Sequence, residues 1–262
     1  MAKKNQGPES LQSVTTRIIQ NHSKAPSPLE KAGDEASQAQ QKTTPNPSNC
    51  PPLEGVAESR GRINYDQALT WLEQQGKIMY GNNFALIPQD LPAIRKLLAY
   101  FLNDTITAEL YGISLQKGIY LTGPVGCGKT SLMSLLRNLQ QTENRYVIRS
   151  CRDISFEFIE HGYRTIAKYS VLSFKNYHPI AYCFDDLGVE NNLKFYGNEC
   201  NIMAEIILSR YDQFINRKLL THITTNLSAT EVEAFYGNRV RSRMRELFNL
   251  IAFNRTSTDK RK

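Results

Sequence analysis

Gly123-Pro124-Val125-Gly126-Cys127-Gly128-Lys129-Thr130 fits the pattern G-x-x-x-x-G-K-[ST], in which each position has a task on a nucleoside triphosphate. Gly123, Gly126 and Gly128 are expected to take positive φ, turning successive N–H groups inward around phosphates. Lys129 is placed to reach the β- and γ-phosphates, and the Thr130 hydroxyl to ligate Mg²⁺. Ser131 opens a stretch to Leu136 with helical periodicity, so a helix N-terminus is expected to face the anion. The expected cofactors are ATP and Mg²⁺, held by residues Gly123 to Ser131. Cys127 is either a small filler of the loop or a redox target.

A second acidic site follows about 60 residues later, where the apolar run Ile180–Phe184 leads into Asp185-Asp186. Asp185 is expected to hold the Mg²⁺ shell and Asp186 to polarise an attacking water; an acidic helix cap is the competing reading. A further run ends in Thr224-Thr225-Asn226-Leu227-Ser228. Asn226 either lies between the two acidic and phosphate-binding segments and bonds the γ-phosphate or water, or it caps the helix starting near Ser228. Arg239 and Arg243 are four apart on one helical face. They suit an arginine finger acting on a neighbouring molecule's γ-phosphate, or a basic stripe for nucleic acid.

Those residues need a scaffold, and the apolar pattern supplies one. Runs at Gly118–Thr122, Arg145–Arg149, Ile180–Phe184, Leu219–Thr224 and Leu250–Phe253 alternate with helical segments. Continuous apolar strands between helices predict an α/β fold with a five-stranded parallel sheet covered on both faces. The phosphate-binding loop then sits at the sheet's C-terminal edge. Upstream, helices are expected over Asn64–Tyr80, from an N-cap at Asp90 to Phe101, and over Thr105–Tyr111, with a short strand at Asn83–Ile87. Residues 63–114 form a helical extension and 115–262 the core with a basic tail.

Residues 1–64 contain none of the 25 aromatic side chains and seven of the eleven prolines. Such a segment buries too little apolar surface to offset its ordering entropy, so 1–62 is expected to be disordered. Val14, Ile18 and Ile19 stand at helical spacing within it, as a flexible tail or a tether that folds on a partner. The five cysteines show no metal or disulfide spacing, and no apolar run approaches a membrane span. A cytoplasmic protein with reduced thiols and no membrane partner is expected. Of the formal charge of +7, a net +6 lies in residues 239–262, which suits a polyanion or a solubilising tail.

With these residues assembled, the chain resembles the AAA+ ATPases, in particular the replication-initiator and helicase-loader group that includes DnaC, DnaI, IstB and DnaA. The resemblance covers about residues 115–253 and rests on Gly123–Thr130, Phe184-Asp185-Asp186-Leu187-Gly188, Thr224-Thr225-Asn226-Leu227 and Gly237-Asn238-Arg239 through Arg243. It implies sensor 1 at Asn226, the finger at Arg239, a second basic residue at Arg243, and a homo-oligomer formed on ATP binding. Asp186 stands where many members have Glu, one methylene longer. The 19 residues after Arg243 are too few for a small helical lid, so none is expected.

The same group contacts single-stranded DNA through an insertion between its second and third strands. Here residues 150–179 interleave Phe156, Phe158, Tyr163, Tyr169, Phe174 and Tyr177 with Arg152, Arg164, Lys168 and Lys175. About half of these aromatics are expected to pack internally, Phe156 and Phe158 among them. The expected activity is ATP hydrolysis, with single-stranded DNA and a replicative helicase as partners. Alternatives are an IstB-type transposition helper with a transposase partner, a P-loop small-molecule kinase, and a nucleotide-switched adaptor that barely hydrolyses.

Overall fold

The computed structural model describes residues 63–190, 193–195, 198–254, 256, 257, 259 and 260. The segment 1–62 expected to be disordered, with its Val14, Ile18 and Ile19, lies outside these residues. Helix α1 (Tyr65–Tyr80) starts where the Asn64 side chain accepts the Gln67 N–H at 3.0 Å. Then come α2 (Leu91–Phe101) and α3 (Thr105–Leu110), β1 (Gly118–Thr122) and α4 (Lys129–Leu136). The chain continues through β2 (Val147–Ser150), α5 (Cys151–His161), α6 (Tyr163–Tyr169), β3 (Tyr182–Leu187) and α7 (Ile202–Arg217). It closes with β4 (Thr221–Thr225), α8 (Ala229–Leu247) and β5 (Phe248–Ala252).

The five strands form one parallel sheet in the order β2-β3-β4-β1-β5. This is the expected α/β P-loop architecture, with strand boundaries displaced by a few residues. Placing β4 between β1 and β3 matters most for the site, because the ends of three strands then stand side by side. Alternation along the strands explains why both faces are apolar. Ile119, Leu121, Cys183 and Ile251 face the layer built by α1, α2 and α4. Tyr120, Tyr182, Phe184 and Ile223 face the layer of α5 to α8. Residues 65–110 thus complete one face of the sheet, sharing a hydrophobic cluster with it.

Two local expectations fail. Residues 83–87 form no strand; they run as irregular chain between α1 and a 3₁₀ turn at Pro88–Asp90. Asp90 stands at the N-cap position of α2 but its side chain makes no capping bond. Its carboxylate turns inward to accept from Ser257 Oγ and Lys260 Nζ, each at 2.6 Å. An ammonium and a hydroxyl together outcompete one backbone amide.

One buried polar residue locks α2 to the sheet. His222 in β4 lies against the rings of Tyr146, Phe101 and Tyr100, at 4.7, 5.7 and 5.8 Å between centroids. Its Nδ1 accepts the Ile119 N–H at 3.1 Å, so the proton of the neutral ring sits on Nε2. Burial, assisted by the Arg210 charge, lowers its pKa from 6.5 to about 3. The unfolded chain therefore takes up a proton below pH 6.5 that the native ring refuses, and stability is lost as pH falls from 6.5 toward 3. His222→Asn removes this titration. Denaturant titrations across that window should show wild type losing up to about 1.4 kcal/mol per pH unit relative to the variant. Parallel pH profiles would contradict the assignment.

Candidate functional site

The loop after β1 keeps its glycines for two different reasons. Gly126 (φ 78°) and Gly128 (φ 93°) occupy left-handed conformations, as expected. Gly123 is not among the positive-φ residues, which corrects the expectation for it. A Cβ there would lie 2.7 Å from the Cβ of Phe253, so its requirement is space. Lys129 is buried, and its Nζ donates to the carbonyls of Gly123 and Pro124, both at 2.9 Å. Cys127 is buried behind the loop, and burial pushes its thiol pKa up, so it packs as a filler and is a poor nucleophile. Gly128 caps the N-terminus of α4, which carries Lys129, Thr130 and Ser131 on its first turn.

Across from the loop, β3 breaks register between Phe184 and Leu187. Asp186 takes φ 55°, a left-handed conformation that Asp tolerates better than most side chains. The bulge sends the two carboxylates different ways. Asp185 is buried and accepts from the Thr130 hydroxyl, whose Oγ1 lies 3.0 Å from each carboxylate oxygen. The Thr224 hydroxyl donates to Asp185 Oδ1 at 2.6 Å and accepts the Asp186 N–H at 2.9 Å. Burial raises the Asp185 pKa, and the Asp186 charge adds to that; the hydroxyl of Thr224, then that of Thr130, and the Lys129 charge oppose it. Asp186 instead lines the open cleft.

Thr225 performs the matching task one residue on, donating to the Leu187 carbonyl at 2.6 Å and accepting the Leu227 N–H at 3.0 Å. Asn226, exposed between them, lines the cleft with Lys129, Thr130, Ser131 and Asp186. It is not the helix cap. Ser228 caps α8, in a reciprocal capping box with Glu231.

The structure does not bring the two arginines to this cleft. Helix α8 is kinked at Gly237 (φ 83°), and Arg239 lies exposed just beyond, outside the residues lining the cleft. Arg243 lies over the Tyr211 ring at 4.4 Å and pairs with Glu246 at 3.3 Å. Tyr236, one residue before the kink, donates to Glu190, whose other oxygen accepts the Gly188 N–H at 2.9 Å. The segment carrying the acids is thereby tied to the helix carrying Arg239.

Sequence reasoning missed one wall of the cleft. Tyr80, Asn83, Phe84, Ala85 and Ile87 line it from the side of α1, with Tyr80 and Phe84 stacked 5.8 Å apart. The signal was the apolar run at 83–87, read as a strand. Lys260 lines the other side. In the 150–179 segment, Phe158 and Tyr169 are buried, whereas Tyr177 is fully exposed. Phe156, expected to be buried, is 51% exposed because it falls on the outer face of α5, with the Arg152 guanidinium 5.6 Å from its ring centre.

Thr130 and Asp185 bring a hydroxyl and a carboxylate together, a hard oxygen set that suits Mg²⁺, and a cation there would relieve the penalty of burying Asp185. Among the described residues no helix is long and apolar enough to cross a membrane.

No protein-family model matches the chain, and no curated protein matches it. Several solved structures are similar to it. One is the DnaC helicase loader, at 22% identity over 57% of this chain and 86% of that chain, with a TM-score of 0.42. Another is DnaI, at 21% identity over 54% and 72%, with a TM-score of 0.39. A third is AMPPCP-bound DnaA from Aquifex aeolicus, at 16% identity over 66% and 49%, with a TM-score of 0.44.

The threonine bridge yields a direct test. Thr224→Val keeps the shape but leaves the Asp186 amide and one Asp185 lone pair without their partner. The unfolding free energy should fall by about 1–3 kcal/mol in a denaturant titration. An unchanged midpoint and slope would show that the bridge carries no weight.

Proposed function

We propose that this chain binds ATP, hydrolyses it at a site completed by a second copy of itself, and uses that cycle to act on single-stranded DNA and a protein partner such as a replicative helicase. The observation that carries the reading is the division of the polar residues. Lys129, Thr130, Asp186 and Asn226 converge on one cleft with Asp185 bonded behind them, while Arg239 stands outside it, exposed beyond a glycine kink.

The base packs against the wall of Tyr80, Phe84 and Ile87, and the phosphates against the loop and the α4 N-terminus. Lys129 exchanges its loop carbonyls for phosphate oxygens. Thr130 and Asp185 are the residues that would hold Mg²⁺, which when bound neutralises charge on the phosphate oxygens. Asp186, turned into the cleft by its left-handed backbone, accepts the proton of the attacking water. The Asn226 amide orients that water or the γ-phosphate. Arg239 of one molecule stabilises the charge developing in its neighbour's site, and the Tyr236–Glu190 bond links that arginine's helix to its own acidic loop.

The loader role rests on the motif resemblance, and the DNA role on the exposed Phe156 beside Arg152 and on the exposed Tyr177. Domains at 63–114 and 115–262 are part of the same proposal, with Arg243 taken as a packing residue of α8 rather than as the second basic residue beside the finger.

Mixing variants tests the shared site. Asp186→Asn should lower turnover by about 10²–10⁴-fold with nucleotide binding retained. Arg239→Ala should lower it by about 10³-fold, again with binding retained. An equimolar mixture of the two should recover part of the activity, because some interfaces then pair an intact cleft with an intact arginine. Turnover of wild type should also rise with protein concentration and with added single-stranded DNA. Concentration-independent turnover and a mixture no better than its parts would overturn the proposal.

A further inference from the structure

We infer that Lys260 is a second phosphate-binding cation of this cleft and that Asp90 is the residue that positions it; the inference rests on the nucleotide reading above. Beyond β5, Asp259 and Lys260 lie against the loop 123–130. The Lys260 N–H donates to the Gly126 carbonyl at 3.1 Å, and a Cβ on Gly126 would lie 2.1 Å from Asp259 Oδ1. This segment therefore packs directly on the loop. The Lys260 side chain passes over Gly128, whose added Cβ would lie 3.7 Å from its Cδ and 3.8 Å from its Nζ. Gly128 caps α4, so the ammonium stands beside the helix N-terminus that faces the cleft.

Asp90 explains how a flexible side chain is kept there. Its side chain is wholly buried, and it accepts from Ser257 Oγ and Lys260 Nζ at 2.6 Å each. The lysine stem also lies over Phe253, with Nζ 5.6 Å from the ring centre. An ammonium has three donors, so one bond to Asp90 fixes its position and leaves two for an anion. Pairing the buried Asp90 with a part-exposed ammonium adds little stability over an apolar pair, which favours a role in presenting the charge. A polyphosphate brings several negative charges to a cleft whose lining includes Asp186, and Lys129 and Lys260 are the lysines that line it.

The experiment measures binding of ADP, a non-hydrolysable ATP analogue and AMP to the full chain by competition with a fluorescent ADP. Wild type is compared with Lys260→Met, Lys260→Arg and Asp90→Asn, with melting curves recorded without nucleotide. Lys260→Met should weaken ADP and the ATP analogue by roughly tenfold and AMP by less than about twofold. Lys260→Arg should restore most of the loss, and Asp90→Asn should show a smaller loss with the same phosphate dependence. Equal weakening of all three ligands, unchanged affinities, or tighter binding in Lys260→Met would each overturn the inference, the last by showing that the segment obstructs the cleft. A wild-type chain that binds none of the three overturns the nucleotide reading itself, whereas tight wild-type binding that Lys260→Met leaves intact overturns only the role of Lys260.

Discussion

Asp185 lies buried within β3, directly after its apolar residues, where an ionised carboxylate is costly, and two hydroxyls from neighbouring elements make the placement tolerable. Thr130 reaches it from the helix after β1, and Thr224 from β4. The Thr224 bond requires β4 to run beside β3, so this part of the site depends on the strand order. Thr224 also holds the Asp186 amide, and with it the left-handed turn that separates the two acids. The loop, the strand bulge and the end of β4 thus form a single polar unit. Its geometry is held by hydrogen bonds within the protein, and dipoles fixed in this way act most strongly on developing charge.

The apolar layers serve that unit in different ways. On one face, α5 to α8 bury the side of the sheet carrying Tyr120, Phe184 and Ile223. On the other, the helices before β1 cover Ile119 and Leu121 and then supply Tyr80 and Phe84 to the cleft itself. The region upstream of the loop 123–130 is therefore both a cover for the sheet and a wall of the candidate site. His222, ringed by Tyr100, Phe101 and Tyr146, joins that cover to the central strand.

Motifs with fixed spacing were legible in the sequence because the chemistry is local. The loop 123–130, the Asp185-Asp186 pair after an apolar run and the alternation of strands and helices all stand where the pattern put them. Asn226 became distinguishable from a helix cap only once Ser228 was seen capping α8. Long-range pairing was not legible. Nothing local distinguishes an Asp90 that caps α2 from one that accepts Ser257 and Lys260, because its partners lie at a sequence distance of 167 and 170 residues. Residues 83–87 read as a strand because apolar residues that wall a cleft and those that pair in a sheet look alike in short runs. Phe156 was misread for a related reason: position on a helix face, not residue type, decides burial.

In the proposed function, Asp185 and Thr130 hold the cation beside the bound nucleotide. Calorimetric binding of a non-hydrolysable ATP analogue, with and without Mg²⁺, to wild type and Asp185→Asn tests it most directly. Mg²⁺ should tighten binding to wild type by about tenfold or more and leave the variant's affinity unchanged. The same Mg²⁺ enhancement in both proteins would contradict the account.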